Sequence, residues 1–141
     1  MEITQTAALT AAAILTADAL VHVYWLTGRT WPAPDTKTLS HAVLNADYPF
    51  TPRVLITLIA ILTGGTVLLA DRAGIGPAVP HWITTTGAYA VAAGAGLRAL
   101  AGFVWAAGIG SQRGTIFHRL NIVAYTPLCL VLAGAALLAA H

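Results

Sequence analysis

Four long apolar runs constrain the fold of this chain more than any other feature of its sequence. They cover about residues 6–27, 54–70, 82–108 and 120–140. Each run is long enough to cross a hydrocarbon core, which takes roughly 20 residues. Because lipid offers the backbone no hydrogen-bond partners, each run is predicted to be a helix. The sequence therefore predicts an all-α, integral membrane four-helix bundle made of one domain, residues 1–141.

The composition agrees with a membrane protein and excludes several other classes. Of the 141 residues, 57% are hydrophobic and only 9% are charged, and the mean hydropathy is +0.76. The net charge of +2 comes from residues at the ends of apolar runs, so we expect no nucleic-acid partner. Cys129 is the only cysteine, which excludes an intramolecular disulfide. The first ten residues hold no Lys or Arg, so we expect the first run to remain as a span.

The connections between the runs predict the orientation of the bundle. In the first connection, residues 28–53, apolar residues recur at helical spacing after Asp35, which predicts a short helix on the membrane surface. The second connection carries Arg72 alone. The first and third together carry Arg29, Lys37, Arg53, Arg113 and Arg119. The positive-inside rule then puts these two connections in the cytoplasm and both termini on the outer side of a bacterial inner membrane.

Two charged residues are predicted to lie in the middle of the membrane. Asp18 comes ten residues before Gly28, and Arg98 comes ten residues before Gly108, so both lie about 15 Å from the cytoplasmic helix ends. A lone charge at that depth costs about 3 kcal/mol on insertion scales. We therefore expect Asp18 and Arg98 to face each other as an ion pair, which either takes part in a reaction or only holds the bundle together.

Other polar and aromatic residues are expected at the same level. His22 lies one helical turn after Asp18 on the same helix face. The aromatic residues of this region are either interfacial anchors or the walls of a lipophilic cavity. In the last run, Pro127 removes an N–H and should distort the helix. The predicted catalytic residues are Asp18, His22 and Arg98, and the predicted substrate-binding residues are Tyr24, Trp25, Trp31, Trp105, Asn121 and Tyr125.

Three stretches carry a resemblance to a known family: HVYWLTGRTWP, LRALAGFVWAAGIG and TIFHRLNIVAYTPLCLVL. They resemble a group of small bacterial four-helix membrane proteins classed as a domain of unknown function. The resemblance implies the architecture and the importance of His22, Tyr24, Trp25, Trp31, Arg98, Tyr125 and Pro127, but it implies no reaction. It also implies an acidic residue near the start of the last helix, where this chain has Asn121, so Asp18 is the only carboxylate within the spans.

Three functions follow from these residues. In the first, an isoprenoid-like or steroid-like molecule binds in the cytoplasmic half of the bundle, and Asp18 and His22 supply acid–base catalysis as in an isomerase, cyclase or hydrolase. Arg98 would hold Asp18 ionised or stabilise an oxyanion. In the second, the same polar residues relay protons or bind a transported solute, which requires a homo-oligomer. In the third, the protein is a structural helper subunit.

Neither a cofactor nor a metal is expected. Haem would need a second axial ligand at the depth of His22, and the other histidines lie in loops or at helix ends. No helix carries paired His, Cys or carboxylate residues at the spacing of a zinc site. Phosphate-binding loops are also missing from the sequence. The expected partners are therefore the lipid bilayer and a lipophilic small molecule.

Overall fold

Helices form all the regular secondary structure in the computed structural model, which describes residues 2–141. They are α1 (Ile3–Leu26), α2 (Thr36–Leu44), α3 (Pro52–Arg72), α4 (His81–Ala106), α5 (Ile116–Leu120) and α6 (Thr126–Ala140), with a π-helical turn at Asn121–Tyr125 that joins α5 to α6. Within the described residues, α1, α3, α4 and the continuous segment Ile116–Ala140 are long and apolar enough to cross a membrane. The prediction of an all-α bundle of four long apolar helices is confirmed, and it indicates a multi-pass membrane protein.

Local residues determine where these helices begin and end. The Asp35 carboxylate accepts a 2.7 Å hydrogen bond from the Thr38 N–H at the start of α2, as an N-cap does. Thr51 caps α3 in the same way, and Pro52 follows in the first turn, where its missing N–H costs nothing. Two residues after the ends of α1 and α4, Gly28 and Gly108 adopt φ values of +91° and +88°, which favour glycine.

The four long helices form a square in which each packs against two neighbours. Helix α1 packs against α3 and α6, and α4 packs against α6 and α3. Helices α1 and α4 therefore lie on a diagonal, with α6 between them on one side. This arrangement matters for the site because Asp18 belongs to α1 and Arg98 to α4.

The two halves of the bundle are built differently. We call residues 3–15, 63–93 and 129–140 the termini half, and residues 16–62 and 94–128 the loop half. The main buried apolar cluster lies in the termini half, and its members are Ala7, Ala8, Ala11, Ala12, Leu15, Leu69, Ala73, Ala88, Ala135, Ala136, Ala139 and Ala140. Small residues allow helix backbones to approach closely, so the termini half is closely packed.

Side-chain hydrogen bonds tie the helices together at the end of the termini half. Arg72 donates from Nε to the Ala139 carbonyl, 2.7 Å away, and its Nη1 lies 2.7 Å from His81 Nε2. Gln5 donates to the Ala73 carbonyl at 2.9 Å. Because Ala73 and Ala139 lie at helix C-termini, these bonds satisfy carbonyls that have no partner within their own helix.

Candidate functional site

Asp18 and His22 form a hydrogen-bonded pair on α1 in the loop half. His22 Nδ1 lies 2.8 Å from the Asp18 backbone carbonyl oxygen and 3.3 Å from the Asp18 carboxylate. Since both neighbours are acceptors, Nδ1 carries the proton, and in the neutral ring Nε2 keeps its lone pair. The side chain of His22 is 14% exposed and that of Asp18 is 47% exposed. The pair therefore combines a sheltered imidazole with an accessible carboxylate.

Aromatic side chains surround the imidazole of His22. Trp25 meets it edge-on, with the ring centroids 5.1 Å apart. On its other side, Trp25 contacts Phe50, which comes from the connection that precedes α3. The indole N–H of Trp25 donates a 3.0 Å hydrogen bond to the Trp31 carbonyl. The first connection thus folds back against α1 and fixes the orientation of Trp25.

An apolar groove opens beside this cluster. Its volume is about 430 Å³, and it is lined by Leu20, Val21, Tyr24, Trp25, Trp31 and Pro32. Trp25 is shared, because one side of it contacts His22 and it also lines the groove. Three of the predicted substrate-binding residues, Tyr24, Trp25 and Trp31, therefore come together in this groove, which meets the Asp18–His22 pair at Trp25.

Arg98 belongs to a second cluster, between α4 and α6. Its Nη1 donates a 3.2 Å hydrogen bond to Asn121 Oδ1. Its guanidinium also lies 4.8 Å from the ring centroid of Trp105 and 5.6 Å from that of Tyr125, within the range of a cation–π interaction. The remaining predicted residues, Arg98, Trp105, Asn121 and Tyr125, are therefore neighbours of one another.

The expected direct ion pair between Asp18 and Arg98 is not formed, and that prediction was wrong. In the described part of the chain, the pair of opposite charges within 4.0 Å is His22 with Asp18. The reason is the helix order, since α1 and α4 lie on a diagonal with α6 between them. Each of the two charged groups instead has its own partner, which is His22 for Asp18 and Asn121 for Arg98.

Asn121 connects α4 to α6 through three hydrogen bonds. Its side chain is fully buried. The Nδ2 group donates to the Gly102 carbonyl at 2.8 Å, while Oδ1 accepts from Arg98 and from the Thr126 hydroxyl at 3.1 Å. The close approach requires Gly102, because a Cβ there would overlap the Thr126 hydroxyl. Where the family resemblance implies an acidic residue, this chain has an amide, and that amide accepts a hydrogen bond from Arg98.

The distortion expected at Pro127 takes the form of the π-helical turn Asn121–Tyr125. The Thr126 N–H bonds to the Asn121 carbonyl, five residues back, and Pro127 has no N–H to offer to Val123. In such a turn, residues five apart become neighbours, which brings the Thr126 hydroxyl to Asn121. Turns of this kind occur frequently at functional sites.

Tyr125 joins the second cluster to α2. Its hydroxyl donates a 3.0 Å hydrogen bond to the Ala42 carbonyl in the last turn of α2. Phe117 lies between Tyr125 and Trp105, with centroid distances of 6.4 Å and 5.2 Å. The second cluster therefore consists of bonded groups that fix α2, α4 and α6 to one another.

Several residues of the two clusters were not predicted from the sequence. Phe50 and Phe117 lie in loops or at a helix start, where no helical periodicity marks them. Gly102 and Thr126 contribute through contacts between helices, which a single sequence does not reveal. Leu20 lies about half a turn from both Asp18 and His22 around α1, so the helix face shared by that pair does not point to it.

Comparison with known proteins gives the family. The family described as protein of unknown function (DUF3995) matches residues 6–136. The chain belongs to this family. Neither a curated protein nor a solved structure matches it. Within residues 2–141, no group of three or more His, Cys, Asp or Glu side chains is arranged to hold a metal ion. The family thus agrees with the resemblance of the three stretches and leaves the function to be inferred from the geometry.

Proposed function

We propose that this protein binds a lipophilic small molecule in the apolar groove and that Asp18 and His22 perform acid–base chemistry on it. The observation that carries the proposal is the position of Trp25, which lines the groove and contacts the His22 ring. The groove volume of about 430 Å³ lies within the usual range for small-molecule sites. An isoprenoid-like or steroid-like molecule has the apolar surface that such a groove would cover.

The two side chains divide the chemistry as follows. Asp18 accepts from Nδ1–H of His22 and stabilises the imidazolium that forms when Nε2 takes a proton from the bound molecule. The same Nε2–H then returns the proton at a second position, which is the sequence of steps in an isomerase. In a cyclase or hydrolase, the pair would instead supply an acid to a double bond or activate water. Arg98 acts on the site indirectly, by fixing α4 against α6.

Binding is tested with a photoreactive isoprenoid alcohol that carries a diazirine. Trp31→Ala should weaken labelling about tenfold, which corresponds to about 1.4 kcal/mol. Trp82→Ala is the matched control, because Trp82 is 70% exposed and Trp31 is 73% exposed, yet Trp82 lies at the opposite end of the bundle. Equal labelling of both variants would contradict a site in the apolar groove.

The isomerase step is tested by deuterium exchange, which detects proton abstraction next to a carbonyl. The protein is incubated in D₂O with a panel of steroid and isoprenoid ketones, and incorporation next to the carbonyl is measured by mass spectrometry. We expect exchange in the native protein, and its loss in Asp18→Asn and His22→Ala with labelling retained. If a bound ketone exchanges no faster than in buffer, the isomerase step of the proposal fails while binding stands.

A structural role predicts a different pattern for the same variants. Asp18→Asn and His22→Ala would then lower the thermal stability, or the recovery of an assembled complex, without any effect on labelling of correctly folded protein. A transport path through one bundle receives less support, since alanines fill the contacts between helices in the termini half. A path between copies of the chain would require an oligomer, which cross-linking in membranes would detect.

We also propose that the loop half faces the cytoplasm of a bacterial inner membrane. Support comes from the basic residues of the first and third connections, and from Arg72, whose guanidinium is bonded to the Ala139 carbonyl and to His81. The test is labelling of single cysteines with a membrane-impermeant maleimide, in a Cys129→Ala background. The reporters are Ala78→Cys in the second connection and Gln112→Cys in the third, and only Ala78→Cys should react in intact spheroplasts.

A further inference from the structure

A second groove, separate from the apolar one, lies between α2 and the segment 108–117. Its volume is about 780 Å³, within the range of ligand sites. Thr38, His41 and Asn45 line it on the α2 side, and Gly110, Gln112 and Thr115 line it on the other. Unlike the apolar groove, it presents hydroxyl, amide and imidazole groups. It is located where the long helices end, at the level expected for lipid headgroups.

Hydrogen bonds hold the two walls of this groove in place. Asn45 ends α2 in the left-handed conformation, with φ 55°, and its Nδ2 donates a 2.7 Å bond to the Gly110 carbonyl. The carbonyl of the lining residue Ala42 accepts a hydrogen bond from the Tyr125 hydroxyl. Gly108 and Gly110 both have positive φ values, so the second wall follows a path that other residues rarely adopt. The shape of the groove is therefore determined by the backbone and by hydrogen bonds, and it does not depend on flexible side chains.

The charges around the groove favour an anion. None of the lining residues carries a carboxylate. The Arg113 side chain lies against the lining residue Gly108, since a Cβ at Gly108 would be 3.5 Å from Arg113 Nε. Lys37 lies one turn before the lining residue His41, on the same face of α2. The nearest carboxylate at the start of α2, Asp35, is already bonded to the Thr38 N–H, and Lys37 offsets its charge.

We propose that this groove binds the phosphate headgroup of an anionic phospholipid. Lys37 and Arg113 attract the phosphate, and the hydroxyl of Thr38 donates to its oxygens or to a glycerol headgroup. The apolar lining residues Ile116 and Phe117 lie towards the helices, where the acyl chains would continue. Basic pockets beside transmembrane helices recognise anionic lipids in this way. The proposal is independent of the apolar groove and of Asp18.

The experiment compares lipids with identical acyl chains in a native mass-spectrometry titration of the detergent-solubilised protein. Phosphatidylglycerol should bind at least tenfold more tightly than phosphatidylcholine. The double variant Lys37→Gln with Arg113→Gln should weaken phosphatidylglycerol binding about 25-fold, at about fivefold for each basic residue. The matched control is Arg29→Gln with Arg53→Gln, which removes the same charge from the same end of the bundle and should change binding less than about threefold.

Three results would overturn the proposal. These are equal binding of the two lipids, equal losses in the double variant and its control, and displacement of phosphatidylglycerol by an equal concentration of inorganic phosphate, which would identify a free anion as the occupant. A variant that fills the groove provides a check that does not depend on charge. Thr38→Trp leaves the backbone N–H bond to Asp35 intact and should also prevent lipid binding.

Discussion

The helices of the termini half and those of the loop half are held together by different kinds of contact. In the termini half, alanines bring the helices close together, and the buried cluster reaches from Ala7 to Leu15 along α1. In the loop half, the helices are connected through buried Asn121 and Thr126 and through aromatic contacts around Arg98. Both grooves described above open in the loop half. Close packing thus closes one half, while polar contacts leave room for ligands in the other.

Polar connection works in the loop half because the buried groups have partners. Among the residues that the structure describes, no buried side-chain nitrogen or oxygen lacks a hydrogen bond. An unpaired polar group would be costly in lipid. The comparison therefore predicts that the termini half is sensitive to added volume, and that the loop half is sensitive to any change that separates its bonded groups.

The largest effect is expected from added volume in the termini half. Ala11 is fully buried, so Ala11→Leu should lower the free energy of unfolding by about 3 kcal/mol, at the upper end for an overpacked core. Ala13→Leu, on the exposed side of the same helix, is the control and should be nearly neutral. Denaturation in mixed micelles measures both. Equal losses would mean that the termini half is not closely packed.

In the loop half, the strongest disturbance should come from Gly102. A Cβ there would overlap the Thr126 hydroxyl, so Gly102→Ala should cost about 2 kcal/mol. Gly94, on the same helix, has open space around it, and Gly94→Ala should be neutral or stabilise the helix by up to about 1 kcal/mol. The additional change Thr126→Ala should restore part of the loss in Gly102→Ala. Absence of any recovery would argue against the close α4–α6 contact.

Removal of the Arg98 guanidinium should have a smaller effect. Arg98→Met keeps the apolar stem but loses the bond to Asn121 and the contacts with Trp105 and Tyr125, at a cost of about 1.5 kcal/mol. Asn121 would still bond Gly102 and Thr126, which limits the loss. Arg119→Met, at an exposed position, should stay within about 0.5 kcal/mol of the native protein. If Arg98→Met leaves the stability unchanged, Arg98 does not stabilise the bundle, and a role in catalysis would be the better explanation.

The smallest effect is expected from removal of the Asp35 cap at the start of α2, and it should depend on pH. The hydrogen bond from the Thr38 N–H holds the pKa of Asp35 below its ordinary value of 3.8. A lowered pKa in the folded state means that the stabilisation is complete above pH 3.8 and is lost as the pH falls through the folded pKa. Asp35→Ala should therefore increase the rate of amide hydrogen exchange in α2 at neutral pH. In acid, the exchange rates of the variant and of the native protein should become similar, because the native protein then loses its charged cap. Asp35→Asn, a neutral cap, should lack this pH dependence.

The fold could be predicted because each span is a local property of the sequence. The length and hydropathy of an apolar run identify a membrane helix without knowledge of its neighbours. The distortion before Pro127 is equally local, since it follows from a missing N–H. The proximity of Asp18 and His22 could also be predicted, because residues four apart on one helix face are neighbours.

The partners of Arg98 could not be predicted in the same way. Its ten-residue distance from the helix end gives a depth, but depth does not say which neighbouring helix a side chain meets. That choice depends on the order of helices around the bundle, which places α6 between α1 and α4. Phe50 was missed for a related reason, because its contact with Trp25 depends on the path of a long connection.

The π-helical turn has a consequence for how the length of this chain can vary. Such a turn contains one residue more than an α-helical turn, so it can be read as a single-residue insertion within an otherwise regular helix. Deleting Val123 should convert Asn121–Tyr125 to α-helical geometry and leave the alanine face of α6 in register with α1. Thr126 would then stand four residues after Asn121, and an α-helix keeps such residues on one face. A relative that is one residue shorter here would keep the same bundle and the amide bridge between its last two spans.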